Sequence, residues 1–368
     1  MGSRRTGNFL IRIVDLVMFV ISIFVVTALV AAYVSPALNP NQVWYLSFFG
    51  LFFPVFYLAA LIVTFYWACR WSRVFFLTAF VLLLGIGKVT EFYKFPVNKK
   101  YHENPVPANT LKIITFNVAG FWDHGREALV TEEILEYIKG QDPDIICIQE
   151  FVASKKYPKD FVDRVLEEWE YSATNLKGGK GIKAVTYSKF PIISDNEIIF
   201  ENKNNGVLYT DLLVGSDTLR IINNHLQTTH VDKDNVKFLD DYHFTFDDET
   251  KDTFKQIIKS LKQGFATRAY QADSVASLVH GRNIPTIVCG DFNDTPMSYV
   301  YKTIRGNYED VFVNKGSGFG YTFKYLYRIL RIDYVLHSGD IETVSYESPD
   351  VQWSDHNPVI VEFKIKES

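Results

Sequence analysis

The chain has 368 residues, of which 48% are hydrophobic, and carries a formal net charge of −4. That length allows two domains, and the charge is unevenly distributed along it. Up to Pro107 there are nine Lys or Arg and three acidic residues, so the rest of the chain carries a formal charge of −10. An acidic balance disfavours a protein that clamps duplex DNA through its phosphates, although a local basic patch is compatible with it. Three cysteines without paired spacing indicate neither a disulfide framework nor a thiolate metal site.

Three apolar stretches predict transmembrane helices in a region that covers residues 1–92. Their approximate bounds are 10–34, 43–69 and 74–92. The first two contain uncharged runs of 19 and 27 residues, long enough to cross a hydrocarbon core of roughly 30 Å. The third run has 14 residues and spans only if Lys88 snorkels and the helix continues toward Phe92. A cleaved signal peptide is the alternative for the first stretch, but a second apolar stretch follows it closely.

Positive charges set the expected orientation of these helices. Arg4, Arg5 and Arg12 lie at the N-terminal end of the first helix, and Arg70 and Arg73 lie in the loop after the second helix. This pattern predicts a multi-pass protein of a bacterial inner membrane, with the bilayer as a partner and the C-terminal domain on the non-cytoplasmic side. Four lysines between 88 and 100 oppose that orientation. Arg12 and Asp15, three residues apart, are expected to neutralise each other at the interface.

A proline-containing linker is expected at 93–109 and a globular domain at 110–368. Apolar patterns predict helices at 128–139, 161–166 and 270–279, and strands at 111–116, 144–149, 184–187, 207–213, 219–224, 284–289, 332–336 and 359–365. A polar, acidic stretch at 229–267 is typical of the inserts that form substrate loops. Strands and helices are mixed without strict alternation, which predicts an α/β domain of two packed sheets flanked by helices.

The strand that begins near Ile284 ends in Gly290-Asp291-Phe292-Asn293-Asp294. Asp291 and Asn293 are two apart, so in an extended chain both side chains point the same way. A carboxylate and an amide in that arrangement can orient a water molecule and accept its proton beside a metal. The alternative is a plain turn, because Gly, Asp and Asn are common turn residues.

Polar residues with useful chemistry lie at five predicted strand ends: Asn117, Glu150, His225, Asp291 with Asn293, and Asp355 with His356. Any one of them is compatible with a cap or a turn. Five together are better explained by one site, because Mg²⁺ binds oxygen ligands and imidazoles stabilise phosphoryl oxygens. Asp333, in Arg331-Ile332-Asp333-Tyr334, is placed to orient His356.

In this order the motifs resemble those of the endonuclease/exonuclease/phosphatase superfamily, which includes pancreatic DNase and neutral sphingomyelinases. The motifs are Thr115-Phe116-Asn117, Ile148-Gln149-Glu150, Asn224-His225-Leu226, Gly290-Asp291-Phe292-Asn293, Arg331-Ile332-Asp333-Tyr334 and Ser354-Asp355-His356-Asn357-Pro358. The resemblance covers roughly residues 110–366. It implies a four-layer α/β sandwich and Mg²⁺-dependent cleavage of a phosphate ester, with Mn²⁺ as an alternative metal.

The resemblance also implies roles for single residues. Glu150 corresponds to the principal metal ligand, with Asn117 and Asp355 as further ligands. Asp291 corresponds to the base that deprotonates water, and Asn293 to the amide that positions phosphate. The pair His356 and Asp333 corresponds to the group that stabilises the transition state, and His225 donates to a phosphoryl oxygen. Members of the DNase type hold this last histidine with an acid from an earlier strand, and the sequence offers no matching acid at 181–187.

A membrane anchor, an acidic domain and export together favour a phospholipid or small phosphodiester as the substrate. An exported or membrane-tethered nuclease acting on nucleic acid is the alternative. A histidine at 225, where abasic-site endonucleases have tyrosine, disfavours abasic-site repair within the family resemblance. A non-catalytic binding module is a third hypothesis, which the retained Glu150, Asp291 and His356 disfavour.

Overall fold

The computed structural model describes residues 2–96, 110–174, 183–200, 205–229, 248–280, 284–325 and 328–365. Residues 97–109 of the expected linker and 230–247 of the expected insert lie outside this part. The helices are α1 (Gly2–Val34), α2 (Pro40–Leu51), α3 (Phe53–Cys69), α4 (Val74–Leu84), α5 (Ile86–Val89), α6 (Thr131–Gly140), α7 (Lys159–Val165), α8 (Asp248–Val279), α9 (Tyr299–Arg305) and α10 (Val311–Lys315). The strands are β1 (Tyr93–Lys94), β2 (Leu111–Asn117), β3 (Trp122–Asp123), β4 (Ala128–Leu129), β5 (Ile145–Phe151), β6 (Tyr171–Thr174), β7 (Lys183–Ser188), β8 (Ile192–Ile199), β9 (Gly206–Val214), β10 (Asp217–His225), β11 (Thr286–Asp291), β12 (Glu309–Asp310), β13 (Gly318–Phe319), β14 (Asp333–His337), β15 (Ile341–Glu347) and β16 (Val359–Ile365).

The second and third predicted helices differ from the expectation. The helix expected at 43–69 is two helices, α2 and α3, which meet at a bend of 55°. Pro54 in the first turn of α3 explains the bend, because proline lacks the N–H that would continue the preceding helix. The helix expected at 74–92 stops at Leu84, and Gly85 separates α4 from α5. Glycine is a weak helix former, so the break falls there.

Among the described residues, one helical segment is long and apolar enough to cross a membrane. It is Phe9–Ala37, with 29 residues and a mean hydropathy of 2.8. The bent pair α2 and α3 counts as a second only if it forms one span, and α4 has 11 residues. The expected three-span arrangement therefore stays a prediction.

Asp15 binds a residue on another helix rather than Arg12. Its carboxylate accepts hydrogen bonds from Arg70 Nε at 2.9 Å and Arg70 Nη2 at 2.7 Å, and from the Tyr66 hydroxyl at 2.6 Å. The expected neutralisation within α1 is therefore wrong. The two parallel hydrogen bonds from the Arg70 guanidinium are stronger than a single ion-pair contact with Arg12 would be. The contact between Asp15 and Arg70 links α1 to the end of α3.

Two six-stranded sheets form the C-terminal domain. The first has the order β15-β16-β2-β5-β7-β6 and the second the order β12-β14-β11-β10-β9-β8. Each sheet is mixed: β2 and β5 run parallel in the first and β10 and β11 in the second, while the other pairs are antiparallel. The central strands are buried on both faces, as the continuous apolar runs in their sequences predict.

Helices cover the outer face of each sheet, which gives four layers. Apolar side chains between the sheets include Ile113, Ile221 and Ile287, and the free thiols of Cys147 and Cys289 are buried among them. A second core joins the first sheet to α6 and α7, and a third joins the second sheet to α8 and α9. The predicted four-layer α/β sandwich is confirmed.

The N-terminal helices pack against the second sheet's side of this domain. Their apolar core contains Phe53 and Phe92 together with Met297, which belongs to the loop after β11. Tyr93–Lys94 pairs with Gly318–Phe319 as a small antiparallel ribbon. Two residues before this ribbon, the carbonyl oxygen of Glu91 accepts a hydrogen bond from Arg331. The same guanidinium donates to the buried carboxylate of Asp310.

The ion pair between Arg331 and Asp310 predicts a large effect on stability. Asp310→Ala leaves a fully buried guanidinium without its counter-charge, which costs about 3–5 kcal/mol and lowers the Tm sharply in a thermal unfolding experiment. Asp350→Ala removes the partner of Arg328 in an exposed ion pair and is the control, because exposed pairs contribute little. Equal Tm shifts for the two variants would show that the buried pair of Arg331 and Asp310 stabilises the fold no more than an exposed ion pair.

Candidate functional site

The predicted site residues meet because the ends of central strands from both sheets lie at one edge of the sandwich. Asn117 ends β2, and His225 and Asp291 end the parallel strands β10 and β11, where they are paired in register. Asp333 begins β14 opposite Asp291. Parallel neighbours present their carboxyl ends at the same edge of a sheet, so this placement follows from the topology.

Asn117 links the two sheets. Its Nδ2 donates to Glu150 Oε1 at 3.2 Å and to Asp291 Oδ2 at 3.0 Å, while its Oδ1 accepts from the backbone N–H of Ala119 at 3.1 Å. The Ala119 contact fixes the orientation of the amide, so the nitrogen faces the carboxylates. Asn117 therefore holds one carboxylate from each sheet at a fixed distance.

Glu150 is the most exposed acid of the site. It lies at an irregularity between β5 and β7, its φ is +52°, and its side chain is 24% exposed. Such bulges redirect a side chain out of the regular alternation of a strand. Burial raises the pKa of the carboxyl, but the imidazoles of His225 and His356 and the amide of Asn117 outweigh it and lower this pKa to about 2. Glu150 is thus ionised at neutral pH.

His225 is oriented by an amide. Its Nε2 lies 3.3 Å from Glu150 Oε1, and its Nδ1 lies 3.4 Å from Nδ2 of Asn205, which also donates to the carbonyl oxygen of Leu226. Burial lowers the pKa of His225, and the carboxylates of Glu150 and Asp291 more than compensate, so that it is raised overall. Asn205 was not identified from the sequence. Its amide nitrogen, a donor, faces Nδ1 of His225, whereas the acid sought at 181–187 would accept from this ring nitrogen.

Asp291 is almost completely buried. Its Oδ1 accepts from the backbone N–H of Asn293 at 2.8 Å, and its Oδ2 accepts from Asn293 Nδ2 at 2.8 Å. The same Nδ2 donates to the carbonyl oxygen of Leu226 at 3.1 Å, and Asn293 adopts a φ of +53° to make these contacts. Burial, followed by the charge of Asp333, raises the pKa of Asp291 to about 6 although nearby imidazoles oppose the shift.

His356 joins the site from the loop before β16. Its Nδ1 lies 2.9 Å from Asp333 Oδ2, and its Nε2 lies 3.9 Å from Asp291 Oδ2. Its ring packs on Phe323 with 5.1 Å between centroids. Burial lowers the pKa of His356, but the carboxylates of Asp333 and Asp291 raise it well above its ordinary value. The imidazole is therefore positively charged at neutral pH.

Two hydroxyl residues that sequence reasoning gave no role hold these loops in place. Ser354 Oγ donates to the carbonyl oxygen of Asn117 at 2.7 Å and accepts from the backbone N–H of His356 at 3.1 Å. Thr322 Oγ1 accepts from the backbone N–H of Asp333 at 3.0 Å. Ser354 lies in a motif that the sequence analysis identified, whereas no local signal points to Thr322.

The structure brings together all the predicted site residues except Asp355. The backbone oxygen of Asp355 accepts from the backbone N–H of Lys324, and its partly buried carboxylate belongs to neither of the two His and carboxylate clusters found among the described residues. Those clusters are Glu150 with His225 and Asp291, and Asp291 with Asp333 and His356. In each, the possible ligand atoms lie within 4.8 Å of one another. Carboxylate oxygens in such a group suit a hard divalent cation.

The contact between Asp333 and His356 predicts a measurable change in an imidazole pKa. In Asp333→Asn, the pKa of His356 falls, because the carboxylate that opposes the effect of burial is lost. Titration of the histidine ¹⁵N signals by NMR, with a chelator present, measures it. Asp340→Asn changes an exposed acid on the following turn and is the control. An unchanged His356 pKa in Asp333→Asn would show that this pair does not set the charge.

Families of known proteins match both parts of the chain. The model of the Endonuclease/Exonuclease/phosphatase family matches residues 114–356, and a domain of unknown function, DUF8431, matches residues 15–92. A DNA-(apurinic or apyrimidinic site) endonuclease of Dictyostelium discoideum is 26% identical over 130 residues, which cover 34% of this chain and 32% of that protein. The matched segment thus spans about a third of that relative's length.

Solved structures show the same fold. An endonuclease/exonuclease/phosphatase from Beutenbergia cavernae aligns with a TM-score of 0.51 at 15% identity and covers 70% of this chain and 72% of its own. ANGEL2, described as a 2',3'-cyclic phosphatase, aligns with a TM-score of 0.50 at 14% identity and covers 70% and 96%. Since the family model matches well over half of the sequence, the chain belongs to the endonuclease/exonuclease/phosphatase family.

Proposed function

We propose that the protein is a divalent-metal-dependent phosphoesterase that hydrolyses a phosphodiester. The observation that carries this proposal is the Asn117 amide, which holds Glu150 of one sheet and Asp291 of the other beside two buried imidazoles. Family membership supports the same reaction class.

The donor set fits a hard cation such as Mg²⁺, or Mn²⁺ in its place. Glu150 is its principal ligand, since it is ionised, partly exposed and clustered with His225 and Asp291. Asp355 is a more distant candidate that belongs to neither cluster. Asn117 was expected as a direct ligand. Its Oδ1 accepts one hydrogen bond from Ala119, and its Nδ2 positions the carboxylates of Glu150 and Asp291. A bound cation supplies Lewis-acid polarisation of a phosphoryl oxygen.

Asp291 is the general base. A carboxyl with a pKa of about 6 is ionised at neutral pH yet basic enough to accept a proton from water. Asn293 and Asn117 donate to its oxygens and fix its orientation. Asn293 was expected to position phosphate, and in this arrangement its Nδ2 donates to Asp291 and Leu226. Its contribution is therefore to hold the base.

His356 and His225 stabilise the negative charge that develops on the phosphoryl group. His356 is held as an imidazolium by Asp333, so its Nε2–H is a charged donor that faces the same space as Asp291. His225 has its Nδ1 next to Asn205, which leaves Nε2 as the nitrogen beside Glu150. Donors that are fixed before the reaction stabilise a transition state at little reorganisation cost.

The role of Asp291 predicts a large loss of activity. Asp291→Asn keeps the shape of the side chain but removes the base, so hydrolysis of bis(p-nitrophenyl) phosphate with Mg²⁺ or Mn²⁺ falls about 10³-fold. Asp195→Asn replaces an exposed acid on β8 and keeps full activity. If Asp291→Asn turns over at the wild-type rate, Asp291 is not the general base. A wild type without metal-dependent turnover would instead favour a non-catalytic binding module.

The favoured substrate is a phospholipid or another small phosphodiester. The apolar segment Phe9–Ala37 and the exposed apolar side chains of α1 and α3 support a bilayer as partner. The formal charge of −10 beyond Pro107 disfavours extended contact with nucleic acid phosphates. In this proposal the N-terminal helices anchor the enzyme as a multi-pass membrane protein, with the catalytic domain on the non-cytoplasmic side.

A nuclease is the second candidate, supported by the partial match to an apurinic or apyrimidinic site endonuclease. A substrate panel separates the two. The full-length protein in detergent, with Mg²⁺, is given phospholipid in mixed micelles, single- and double-stranded DNA and inositol phosphates. We expect turnover of phospholipid or of a small diester at least tenfold faster than that of DNA. Turnover of DNA alone would reverse the ranking.

A further inference from the structure

The loop that follows the proposed base is packed into the N-terminal helices. Met297, four residues after Asn293, is fully buried in the apolar core formed by α1, α3 and α4. Its backbone oxygen lies against Gly50 near the end of α2, where a Cβ atom would come within 2.2 Å of that oxygen and 2.7 Å of Ser35 Oγ. Only glycine fits this contact without displacing the loop or the helix.

A second contact joins the same helices to the segment that carries Asp333. The carbonyl oxygen of Glu91 accepts from Arg331 Nε at 3.1 Å and Nη2 at 2.7 Å, and Arg331 Nη1 donates to Asp310. The Glu91 carboxylate lies 3.2 Å from Arg305 Nη1 and 3.1 Å from Lys88 Nζ. Arg331 is 2% exposed, so these partners satisfy a buried cation that would otherwise be unfavourable.

A third contact reaches the site through α8. Phe48 of α2 packs on Phe265 of α8 at 5.6 Å between ring centroids. One turn further along, the buried Arg268 donates to Asp294 at 3.2 Å and to the carbonyl oxygen of Gln227 at 2.9 Å. Gln227 and Asp294 lie within three residues of His225 and Asp291.

These contacts reach the site over short lengths of chain. Arg331 is two residues before Asp333, and an extended chain advances at most about 3.6 Å per residue. A shift of the helices by a fraction of an ångström is therefore passed to Asp333 and Asn293 with little chain to absorb it. Well-packed interiors transmit such displacements rather than damping them.

We propose that the N-terminal helices are a positioning element of the active site. Gly50, Met297 and Glu91 act as positioning residues: they hold the Asp291 loop and the Asp333 segment from the side of the helices, so the packing of the helices sets the geometry of the base and of the His356 pair. The inference rests on the proposed function, because it concerns the same site. A region that acts only as an anchor would leave turnover unchanged when its packing is altered.

The test compares two glycine substitutions in the N-terminal helices of the full-length protein in nanodiscs. Gly50→Ala introduces the Cβ that meets Met297, whereas Gly87→Ala adds one that meets nothing within 4 Å. Alanine is the better helix former in both positions, so helix propensity does not explain a loss. With bis(p-nitrophenyl) phosphate, we expect Gly50→Ala to lower kcat about ten- to a hundredfold, with KM almost unchanged. Gly87→Ala should match the wild type.

Hydrogen exchange followed by mass spectrometry measures the packing of the loops without depending on enzymatic activity. Gly50→Ala should speed exchange in the peptides that contain 291–298 and 330–333, and Gly87→Ala should not. If Gly50→Ala is folded and changes neither kcat nor this exchange, the proposal is overturned. A wild type without metal-dependent turnover contradicts the proposed function instead, and the exchange comparison then still decides whether the helices position these segments. Phe48→Ala removes the ring that packs on Phe265 of α8 and is the second variant if Gly50→Ala does not fold. It should lower kcat in the same way, and unchanged turnover and exchange contradict the proposal.

Discussion

One buried carboxylate, that of Asp291, is shared by both His and carboxylate clusters, and the rest of the site is arranged around it. A charge taken out of water is unfavourable unless donors and opposite charges replace the lost solvation. Three N–H groups from Asn117 and Asn293 and the imidazoles of His225 and His356 do so here. These groups offset only part of the effect of burial, so the pKa of Asp291 is raised to about 6. Such a pKa suits a base at neutral pH.

This arrangement requires two sheets, because no single sheet supplies all the groups. Glu150 and Asn117 come from the first sheet, and His225 and Asp291 from the second. The sheets are held together by an apolar core, and the loops at the edge are held by polar contacts and by the N-terminal helices. The family fold thus explains how the site residues come together. The N-terminal helices, which lie outside the family match at 114–356, pack in addition on the loop that contains Met297.

The sequence predicted the layered fold, because apolar runs are a local and strong signal. It also named residues at strand ends that the structure brings together, and their roles stay predictions. It did not predict the partner of Asp15, which depends on packing between helices. It also missed the break between α2 and α3, although Pro54 is a local signal for it. The position of Asn205 could have been predicted from the sequence. The two-residue turn at Gly215 and Ser216 fixes the register of β9 and β10, so Gly206 pairs with His225 and Asn205 is the neighbouring residue. The contact between Gly50 and Met297 joins distant segments and left no local signal.

In the proposed function, a divalent cation binds at the edge where the two sheets meet. The most direct measurement is a crystal structure of the full-length protein with Mn²⁺, using the anomalous signal of the metal. We expect an anomalous peak about 2 Å from a carboxylate oxygen of Glu150, in the space bordered by Asp291 and the two histidines. A fully occupied Mn²⁺ site elsewhere, with none beside Glu150, would contradict it.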